Sequence, residues 1–329
     1  MKKLISMLLC LVMILSMGMA CAEGEPLKVA LVVAETLGDL GFYDSANEGL
    51  KRLEADYGVT GSVVECKADA SMFQLALVEA AESNDVVVAV GWQFWDGLVE
   101  VAPQLPETKF IFVDNGLDGV GDNLLSIVYA ENQGSFLAGY IAMKLSENST
   151  VGVVAAEDSE TINNFVVGYK QGALYANPEG KVLDPVYTNG DYEAPDKGKE
   201  AALSLYSQGA DVVYQVAGKT GLGVFEAAAE QGKYAIGVDS DQKYINPDVI
   251  ITSMMKKVGD SVYSVIAQYI TDGTFNGGTI WEADMSSGLV GLGYGDETMT
   301  QQVSDELKAE VADLAEKIIA GEIVVESTR

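Results

Sequence analysis

The sequence predicts an α/β protein with two lobes of similar build and a cleft between them. Two observations support this fold class. From Leu27 onward, apolar runs of strand length alternate with helical periodicity, which is typical of parallel sheets covered by helices. The segment 83–91 (SNDVVVAVG) also returns in altered form as 209–218 (GADVVYQVAG), an offset of about 126 residues. A duplicated strand–helix–strand unit implies two α/β lobes.

Each copy of the repeat leads through a helix to a strand that ends in aspartate. These strands are 109–114 (KFIFVD) and 234–239 (YAIGVD), and they end at Asp114 and Asp239. Ligands of open α/β sheets bind beyond the carboxyl ends of the strands. The two aspartates are therefore expected on opposite walls of the cleft, where Asp239 would suit the paired hydroxyls of a pentose. The alternative for the loop 239–242 is helix N-capping by an aspartate or by the serine.

The elements follow in order along the chain. Strands are predicted to begin near residues 28, 62, 85, 110, 151, 182, 211, 234 and 249. Between them, helices are predicted at 42–57, 74–83, 134–145, 164–175 and 197–208. Residues 271–288 are rich in glycine and predict turns with short strands. The final helix ends at Gly321 and carries on one face Val303, Leu307, Val311, Leu314 and Ile318.

These elements divide the chain into a leader and two lobes. Residues 1–22 are predicted to be a signal peptide, residues 27–130 plus 252–275 lobe 1, and residues 131–251 plus 276–329 lobe 2. Closely spaced hinge segments are expected near 129–131, 251–253 and 273–278. The chain length suits two domains of ordinary size.

The N-terminus has the pattern of a secretory signal. Two lysines precede an apolar run from Leu4 to Ala20 that is too short to span a membrane comfortably and is followed by small residues. The mature protein is therefore expected to be exported, to the periplasm or the cell surface. Cleavage before Glu23 would release a free protein, whereas a lipid on Cys21 would anchor it to the cell membrane. Gly18 stands where lipoprotein signals usually carry leucine, which weakens the second alternative.

Composition argues against several classes of function. The net charge of −29 disfavours nucleic acid as a partner. The absence of histidine excludes Ser-His-Asp and Cys-His catalytic devices and His-ligated zinc. We therefore expect a protein that is not an enzyme and holds no metal or cofactor. Cys66 has no predicted disulfide partner once Cys10 leaves with the leader, so it is expected to be a small buried apolar residue.

A glycine-rich segment, 218–223 (GKTGLG), follows the second copy of the repeat. It has neither the spacing of a phosphate-binding loop nor that of a dinucleotide fingerprint. It indicates a strand-to-helix turn whose backbone N–H groups either face a polar ligand or only close the turn. Residues 239–242 (DSDQ) likewise lack the remaining ligands of a calcium loop.

Aromatic residues are concentrated in the loops that the repeat places at the cleft, and flat ligands bind to such surfaces. For each residue taken alone, packing in the core is the more frequent role. The residues are Phe42, Tyr43, Trp92, Phe94, Trp95 and Tyr192.

Five further segments are distinctive when they are taken together. They are 38–46 (GDLGFYDSA), 134–139 (GSFLAG), 214–221 (YQVAGKTG), 236–242 (IGVDSDQ) and 252–256 (TSMMK). They resemble, in the same order and over nearly all of the mature chain, the basic membrane protein family, the substrate-binding lipoproteins of ABC transporters whose best-known members are purine nucleoside receptors. The resemblance implies a type I periplasmic-binding-protein fold, with two Rossmann-like lobes, a hinge and an interlobe cleft, which agrees with the internal repeat.

The resemblance also implies roles for single residues. Asp114 would bond the edge of the base, and Tyr192 would stack on the base where the family has phenylalanine. Gly218 would offer backbone groups to the ribose, and Asp239 and Lys256 would hold the ribose hydroxyls.

Asp39 matches the family's usual aspartate before Gly-Phe and is expected near the same wall.

Two departures from the family concern the base pocket. The family often has Phe-Asn where this chain has Phe42 and Tyr43, so a hydroxyl replaces the paired amide groups of asparagine. Leu37 aligns with a second stacking aromatic, which leaves one face of the base against an aliphatic side chain. Further candidates for the pocket are Leu37, Asp44 and Trp92.

The leading interpretation is a monomeric, extracytoplasmic protein that binds a nucleoside, purine by the resemblance, and delivers it to an ABC permease. The main alternative keeps the fold but binds a sugar or another small polar metabolite, because Tyr43 and Leu37 change the base pocket. A further alternative is a ligand sensor without transport. An enzyme that uses the glycine-rich turn for a nucleotide cofactor is disfavoured by export and by the absence of histidine.

Overall fold

The computed structural model describes residues 25–329. The predicted signal peptide and Cys21 lie outside the described residues. No helix within 25–329 combines the length and the apolar character needed to cross a membrane.

Strands and helices alternate along most of the described chain. The strands are β1 (Lys28–Val33), β2 (Thr60–Glu65), β3 (Val86–Val90), β4 (Lys109–Val113), β5 (Leu124–Tyr129), β6 (Thr150–Ala155), β7 (Lys181–Val182), β8 (Val186–Tyr187), β9 (Val212–Val216), β10 (Tyr234–Asp239), β11 (Ile250–Lys256), β12 (Thr279–Ala283) and β13 (Val290–Gly293). The helices are α1 (Phe42–Tyr57), α2 (Phe73–Ser83), α3 (Trp95–Val101), α4 (Glu131–Leu145), α5 (Glu160–Ala176), α6 (Pro195–Ser207), α7 (Leu222–Gln231), α8 (Val258–Asp272) and α9 (Asp305–Ile319).

The strands form two sheets. The first is entirely parallel, in the order β12-β5-β4-β3-β1-β2. The second has the order β13-β11-β10-β9-β6-β7, with β8 also paired to β6, and only its edge strand β13 is antiparallel. Central strands such as β3 and β9 are buried along their whole length, as expected for parallel sheets with helices on both faces. The structure is therefore the two-lobed α/β fold that the sequence predicts.

The chain passes between the two sheets three times. The first crossing follows β5 and leads into α4. The second follows β11 at Lys256 and leads into α8, which packs on α1 of the first lobe. The third lies between β12, in the first sheet, and β13, in the second.

Two of these crossings differ from the predicted lobe boundaries. Residues 252–256 were assigned to lobe 1, but they pair with β10 in the second sheet. Residues 279–283 were assigned to lobe 2, but they pair with β5 in the first sheet. Both crossings therefore lie later in the chain than predicted, because strand pairing rather than the glycine-rich loops sets the boundary.

Helices α4 and α5 contact each other backbone to backbone. A Cβ atom at Gly139 would overlap the carbonyl oxygen of Tyr169, and one at Gly172 would overlap that of Phe136. Only glycine permits this approach, which accounts for the glycine at the end of the segment 134–139.

Candidate functional site

A cavity lies between the lobes at the carboxyl ends of both sheets. Its empty volume is about 630 Å³, a figure that includes open solvent at its mouth. Both lobes contribute to its wall. The lining residues are Asp39, Phe42, Tyr43, Gly91, Trp92, Gln93, Asp114, Thr161, Ile162, Phe165, Tyr192, Glu193, Val216, Ala217, Gly218, Lys219, Val238, Asp239 and Lys256.

The internal repeat is visible in the backbone of this wall. Asp114, after β4, and Asp239, at the end of β10, both have positive φ angles, of 81° and 65°. Gly91 and Gly218, which follow β3 and β9 by one and two residues, also have positive φ angles, of 117° and 55°. Aspartate tolerates this region better than most residues, and strained backbone of this kind clusters at functional sites. The repeat thus places an equivalent aspartate and glycine from each lobe at one cavity.

Lys256, at the end of β11, joins the two aspartates. Its Nζ lies 2.8 Å from Asp114 Oδ1 and 3.5 Å from Asp239 Oδ1. The same Nζ lies 4.5 Å from the ring centroid of Phe42 and 5.1 Å from that of Phe165. Because Phe42 and Asp114 belong to the first lobe and Phe165 and Asp239 to the second, this buried ammonium group bridges the lobes.

The protonation of this group follows from its partners. Burial alone would lower the pKa of Lys256, but the carboxylates of Asp114 and Asp239 outweigh burial and raise that pKa above its usual value. Burial raises the pKa of Asp239 to about 7, with Asp114 adding to the rise and Lys256 opposing it. Lys256 is therefore a permanent cation, while Asp239 titrates near neutral pH.

Asp239 Oδ1 is a buried acceptor that receives no hydrogen bond from the described residues. Most buried polar side-chain atoms in proteins have a partner, so an exception on the wall of a cavity calls for an explanation. A donor supplied by a ligand would provide one.

Asp39 lies at the lining and also holds the start of α1. Its carboxylate accepts from the backbone N–H groups of Gly41, Tyr43 and Asp44 at 2.9–3.1 Å. Burial raises the pKa of Asp39 to about 7 in spite of these bonds. Much of its hydrogen-bonding capacity is thus used locally.

Two predicted pocket residues do not line the cavity. Asp44 instead accepts from the N–H groups of Gly38 and Leu40, which fixes the loop before α1. Leu37 donates its N–H to Glu65 Oε1 at 2.7 Å and is not among the lining residues. The remaining candidates from Asp39 to Lys256, including Trp92, do lie at the cavity.

The aromatic residues divide into two groups. Phe42, Tyr43, Trp92 and Tyr192 line the cavity, as predicted. The other two lie elsewhere: Phe94 is fully buried in the core against Phe73, and Trp95 packs edge-on against Phe112. Both residues belong to the helical turns after β3, where Phe94 is buried and Trp95 remains partly exposed.

Tyr192 is fixed on both sides. Its hydroxyl donates to Glu157 Oε1 at 2.9 Å, and a Cβ atom at Gly218 would lie 3.4 Å from its ring. The ring therefore covers the turn that follows β9. This turn leads through a short 3₁₀ segment into α7, as predicted for the glycine-rich segment.

Several lining residues were not predicted. Thr161, Ile162 and Phe165 lie on α5, where the sequence shows only ordinary helical periodicity and gives no signal of a site. Glu193 and Lys219 adjoin predicted residues and form an ion pair at 3.0 Å. In the sequence, only their position next to Tyr192 and Gly218 indicates that they belong to the site.

A second buried acid lies beside the cavity. Glu35 accepts from Gln93 Nε2 at 3.0 Å, while Glu35 Oε2 and Gln93 Oε1 are buried without a hydrogen bond from the described residues. Burial raises the pKa of Glu35 to about 8, and Glu193, Asp39 and Glu157 add to the rise. Glu193 and Glu157 come from the other lobe, so like charges meet across the interlobe boundary.

Direct hydrogen bonds hold the lobes in contact around the cavity. Ser240 Oγ donates to Gly41 O at 3.2 Å, and Gln242 Nε2 donates to Leu40 O at 3.1 Å. Thr36 Oγ1 donates to Glu193 Oε1 at 2.9 Å.

Within residues 25–329, no cluster of acids and cysteine has an arrangement that could hold a metal ion. Asp241 caps the short 3₁₀ segment after Ser240 by accepting from Lys243 N–H, as the capping alternative for this loop requires. Cys66 is buried, as predicted, and it forms no disulfide among residues 25–329.

Comparisons with known proteins agree with this architecture. A family model described as ABC transporter substrate-binding protein PnrA-like matches residues 27–329. Basic membrane protein A1 of Borrelia garinii subsp. bavariensis is 31% identical over 331 residues, covering 99% of this chain and 96% of the relative.

Solved structures show the same fold. An ABC transporter solute-binding protein from Aeropyrum pernix K1 has a TM-score of 0.81 and 28% identity, covering 92% of this chain and 94% of its own. Another, from Conexibacter woesei DSM 14684, has a TM-score of 0.73 and 25% identity, covering 92% and 99%. The expected type I periplasmic-binding-protein fold is thereby confirmed.

Proposed function

Because the chain belongs to the family of PnrA-like ABC transporter substrate-binding proteins, we propose that it binds a purine nucleoside in the interlobe cavity and delivers it to an ABC permease. Substrate-binding proteins of importers act outside the cytoplasm. The same proposal includes export through the signal at residues 1–22. In the anchored form, Cys21 would carry a lipid.

The observation that carries the proposal is the Oδ1 of Asp239, which lies 3.5 Å from the ammonium group of Lys256 but accepts no hydrogen bond from the described residues. A vicinal diol offers two O–H donors and two acceptor oxygens. Asp239 would accept from the hydroxyls, and Lys256 would donate to their oxygens. Ribose in a nucleoside presents such a diol at one end of the molecule.

The rest of the lining favours a flat, uncharged group at the other end of the ligand. Phe42, Phe165, Trp92 and Tyr192 offer ring surfaces, and Asp114 offers an acceptor to a base edge. Aromatic faces suit a nucleobase better than a free sugar, which needs polar partners on most of its edges.

Charge disfavours a phosphorylated ligand. The two lysines among the described lining residues are already paired, Lys219 with Glu193 and Lys256 with Asp114. A phosphate would meet the remaining carboxylates of Asp39 and Asp239 without a free cation. Uptake of nucleosides rather than nucleotides follows.

The mechanism uses closure of the lobes. Three crossing segments connect the sheets, and the ligand would bridge Asp114 and Asp239 when the lobes meet. Closure removes the ligand from water and strengthens each hydrogen bond to it. The closed form would then dock on the permease, since ligand shifts the population toward that form. No step in this cycle requires a chemical reaction.

A thermal-shift panel tests the proposal. Purine nucleosides are expected to raise the melting temperature, and free bases, nucleoside monophosphates and free ribose to raise it less. Stabilisation only by sugars or amino acids would contradict the nucleoside assignment, and stabilisation only by sugars would favour the sugar-binding alternative. Asp118→Asn, a change at an exposed acid away from the cavity, serves as the control variant.

A further inference from the structure

The segment 323–329 lies along α4 and α5 and is held by side-chain amides. Gln171 Nε2 donates to Val324 O at 2.9 Å, and Asn132 Nδ2 donates to Glu326 O at 3.0 Å. Asn164 Oδ1 accepts from Thr328 N at 3.2 Å. These bonds fix the backbone of the segment close to the base of the cavity.

The segment places Arg329 where the two lobes join. Its guanidinium group donates to the carbonyl oxygen of Tyr129 at 2.8 Å and to Thr161 Oγ1 at 2.9 Å. It also donates to both carboxylate oxygens of Glu131, at 3.2 and 3.3 Å, and to the carbonyl oxygen of Asp114 at 3.4 Å. Asp114 and Thr161 line the cavity, so Arg329 lies directly behind the ligand site.

Glu131 is the reason a cation is needed there. Its side chain is fully buried, and its other hydrogen-bond donor is Asn164 Nδ2 at 2.7 Å. Burial raises the pKa of Glu131, whereas Arg329 and, to a smaller extent, Lys256 act in the opposite direction. Two cations therefore compensate one buried carboxylate, and one of them is the lysine of the cavity.

We propose that Arg329 neutralises Glu131 so that the ammonium group of Lys256 stays on Asp114 and Asp239. Without Arg329, Glu131 is a buried acid, and Lys256 is the other cation that acts on it. The lysine would then be drawn toward Glu131 and away from the two aspartates. Arg329 is thus a positioning residue for the ligand site, although it does not line the cavity. As a statement about ligand affinity, this inference rests on the proposed function.

The test compares four proteins: wild type, Arg329→Ala, Glu131→Gln, and the double variant Glu131→Gln/Arg329→Ala. With adenosine and guanosine as probes in titration calorimetry, Arg329→Ala is expected to bind at least tenfold more weakly than wild type. The double variant is expected to bind within about threefold of Glu131→Gln, because no buried charge is left to attract Lys256. Arg52→Ala is the matched control, since Arg52 is the other arginine of the sequence and pairs with Asp260 on the surface.

The inference fails if Arg329→Ala binds as tightly as wild type, or if the double variant binds tenfold more weakly than Glu131→Gln. If Arg329→Ala alone does not fold, the comparison of the double variant with Glu131→Gln still tests the inference. A measurement without ligand separates this inference from the proposed function. Carboxyl ¹³C NMR should show that the pKa of Asp239 is higher in Arg329→Ala than in wild type. In the double variant, this pKa should return to the value found in Glu131→Gln. An unchanged Asp239 pKa would overturn the inference, whereas a wild type that ignores nucleosides would overturn only the proposed function.

Discussion

Asp239 combines burial, a left-handed backbone and an oxygen that accepts no hydrogen bond from residues 25–329. Burial makes the charged form of Asp239 costly and thereby raises its pKa to about 7. The neighbouring ammonium group of Lys256 lowers that cost but does not saturate the carboxylate. At the residue scale, the proposed recognition would depend on a carboxylate that gains a hydrogen bond when the ligand binds.

The first prediction concerns Asp239→Asn. The variant keeps the shape of the side chain but loses the charge, so each hydrogen bond to a diol loses its charge assistance. Charge-assisted bonds contribute roughly 1.5–3 kcal/mol and neutral ones roughly 0.5–1.5 kcal/mol, so each bond should lose about 1–1.5 kcal/mol, which corresponds to about a five- to tenfold loss of affinity per bond. The melting temperature should not fall, because a costly buried charge is removed. Titration calorimetry of the variant beside Asp118→Asn measures this, and equal affinity of the two would refute the assignment.

The second prediction concerns the ring of Tyr192. Tyr192→Phe should retain affinity, since the ring that covers the ligand remains and only the bond to Glu157 is lost. Tyr192→Ala should weaken binding by roughly 1–3 kcal/mol if the ring stacks on a base. Tyr244→Ala, at an exposed tyrosine outside the cavity, is the control. An alanine variant with lowered stability but unchanged affinity would mean that the ring only packs its own loop.

The third prediction concerns pH. The pKa values of Glu35, Asp39 and Asp239 are raised to about 8, 7 and 7, mainly by burial. A raised carboxyl pKa means that the folded protein binds more protons than the unfolded chain between the two values. Stability from these groups is therefore fully present below about pH 4 and is lost as pH rises through 7 to 8.

The melting temperature should accordingly fall between pH 5 and 7.5, a range in which no histidine titrates. Glu35→Gln should flatten this slope, and Glu107→Gln, at an exposed acid, should not. Stability that increases over the same range, with or without Glu35, would contradict the burial of these acids.

Helices α4 and α5 set the geometry of the second lobe at the scale of elements. They touch through glycines, and α5 carries Thr161 and Phe165 into the cavity. The distance between these two helices therefore controls the position of part of the lining.

The fourth prediction follows from this contact. Gly172→Ala places a Cβ atom against the carbonyl oxygen of Phe136, where backbone cannot give way easily. Overpacking of this kind costs roughly 1–3 kcal/mol, and more where backbone is involved. Urea denaturation should show the loss. Gly291→Ala is the control, because its Cβ atom would meet no neighbour within 4 Å. Equal stability of the two variants would contradict the close packing.

The internal repeat explains which elements could be predicted from the sequence. It identified β3, β4, β9 and β10, and it placed Asp114 and Asp239 at the ends of equivalent strands. The repeat also continues beyond these strands, because β5 (Leu124–Tyr129) and β11 (Ile250–Lys256) are again about 126 residues apart. The same offset relates α4 to α8, and each of these helices follows a crossing between the lobes.

The repeat therefore contains the information needed to place β5 and the crossing after Lys256, although β5 is not among the strands predicted above. The contribution of α5 could not be predicted in this way. Phe165 is one apolar residue in an apolar helical stripe, and only the closure of the two lobes brings it to the cavity.

At the scale of the whole molecule, two sheets from a duplicated unit face each other across one cavity, and one buried lysine joins them. The strong negative charge of the chain and the paired state of its cavity lysines favour a neutral ligand. The family is that of ABC transporter substrate-binding proteins, and the cavity is the basis of our proposal that the ligand is a nucleoside.

The most direct test is to identify what the protein retains when it is purified without added ligand. The protein would be denatured and the released small molecules identified and quantified by mass spectrometry, with Asp239→Asn purified in parallel. Our account predicts a purine nucleoside in near-stoichiometric amount from the wild type and much less from the variant. A free sugar or an amino acid in stoichiometric amount from the wild type would contradict it.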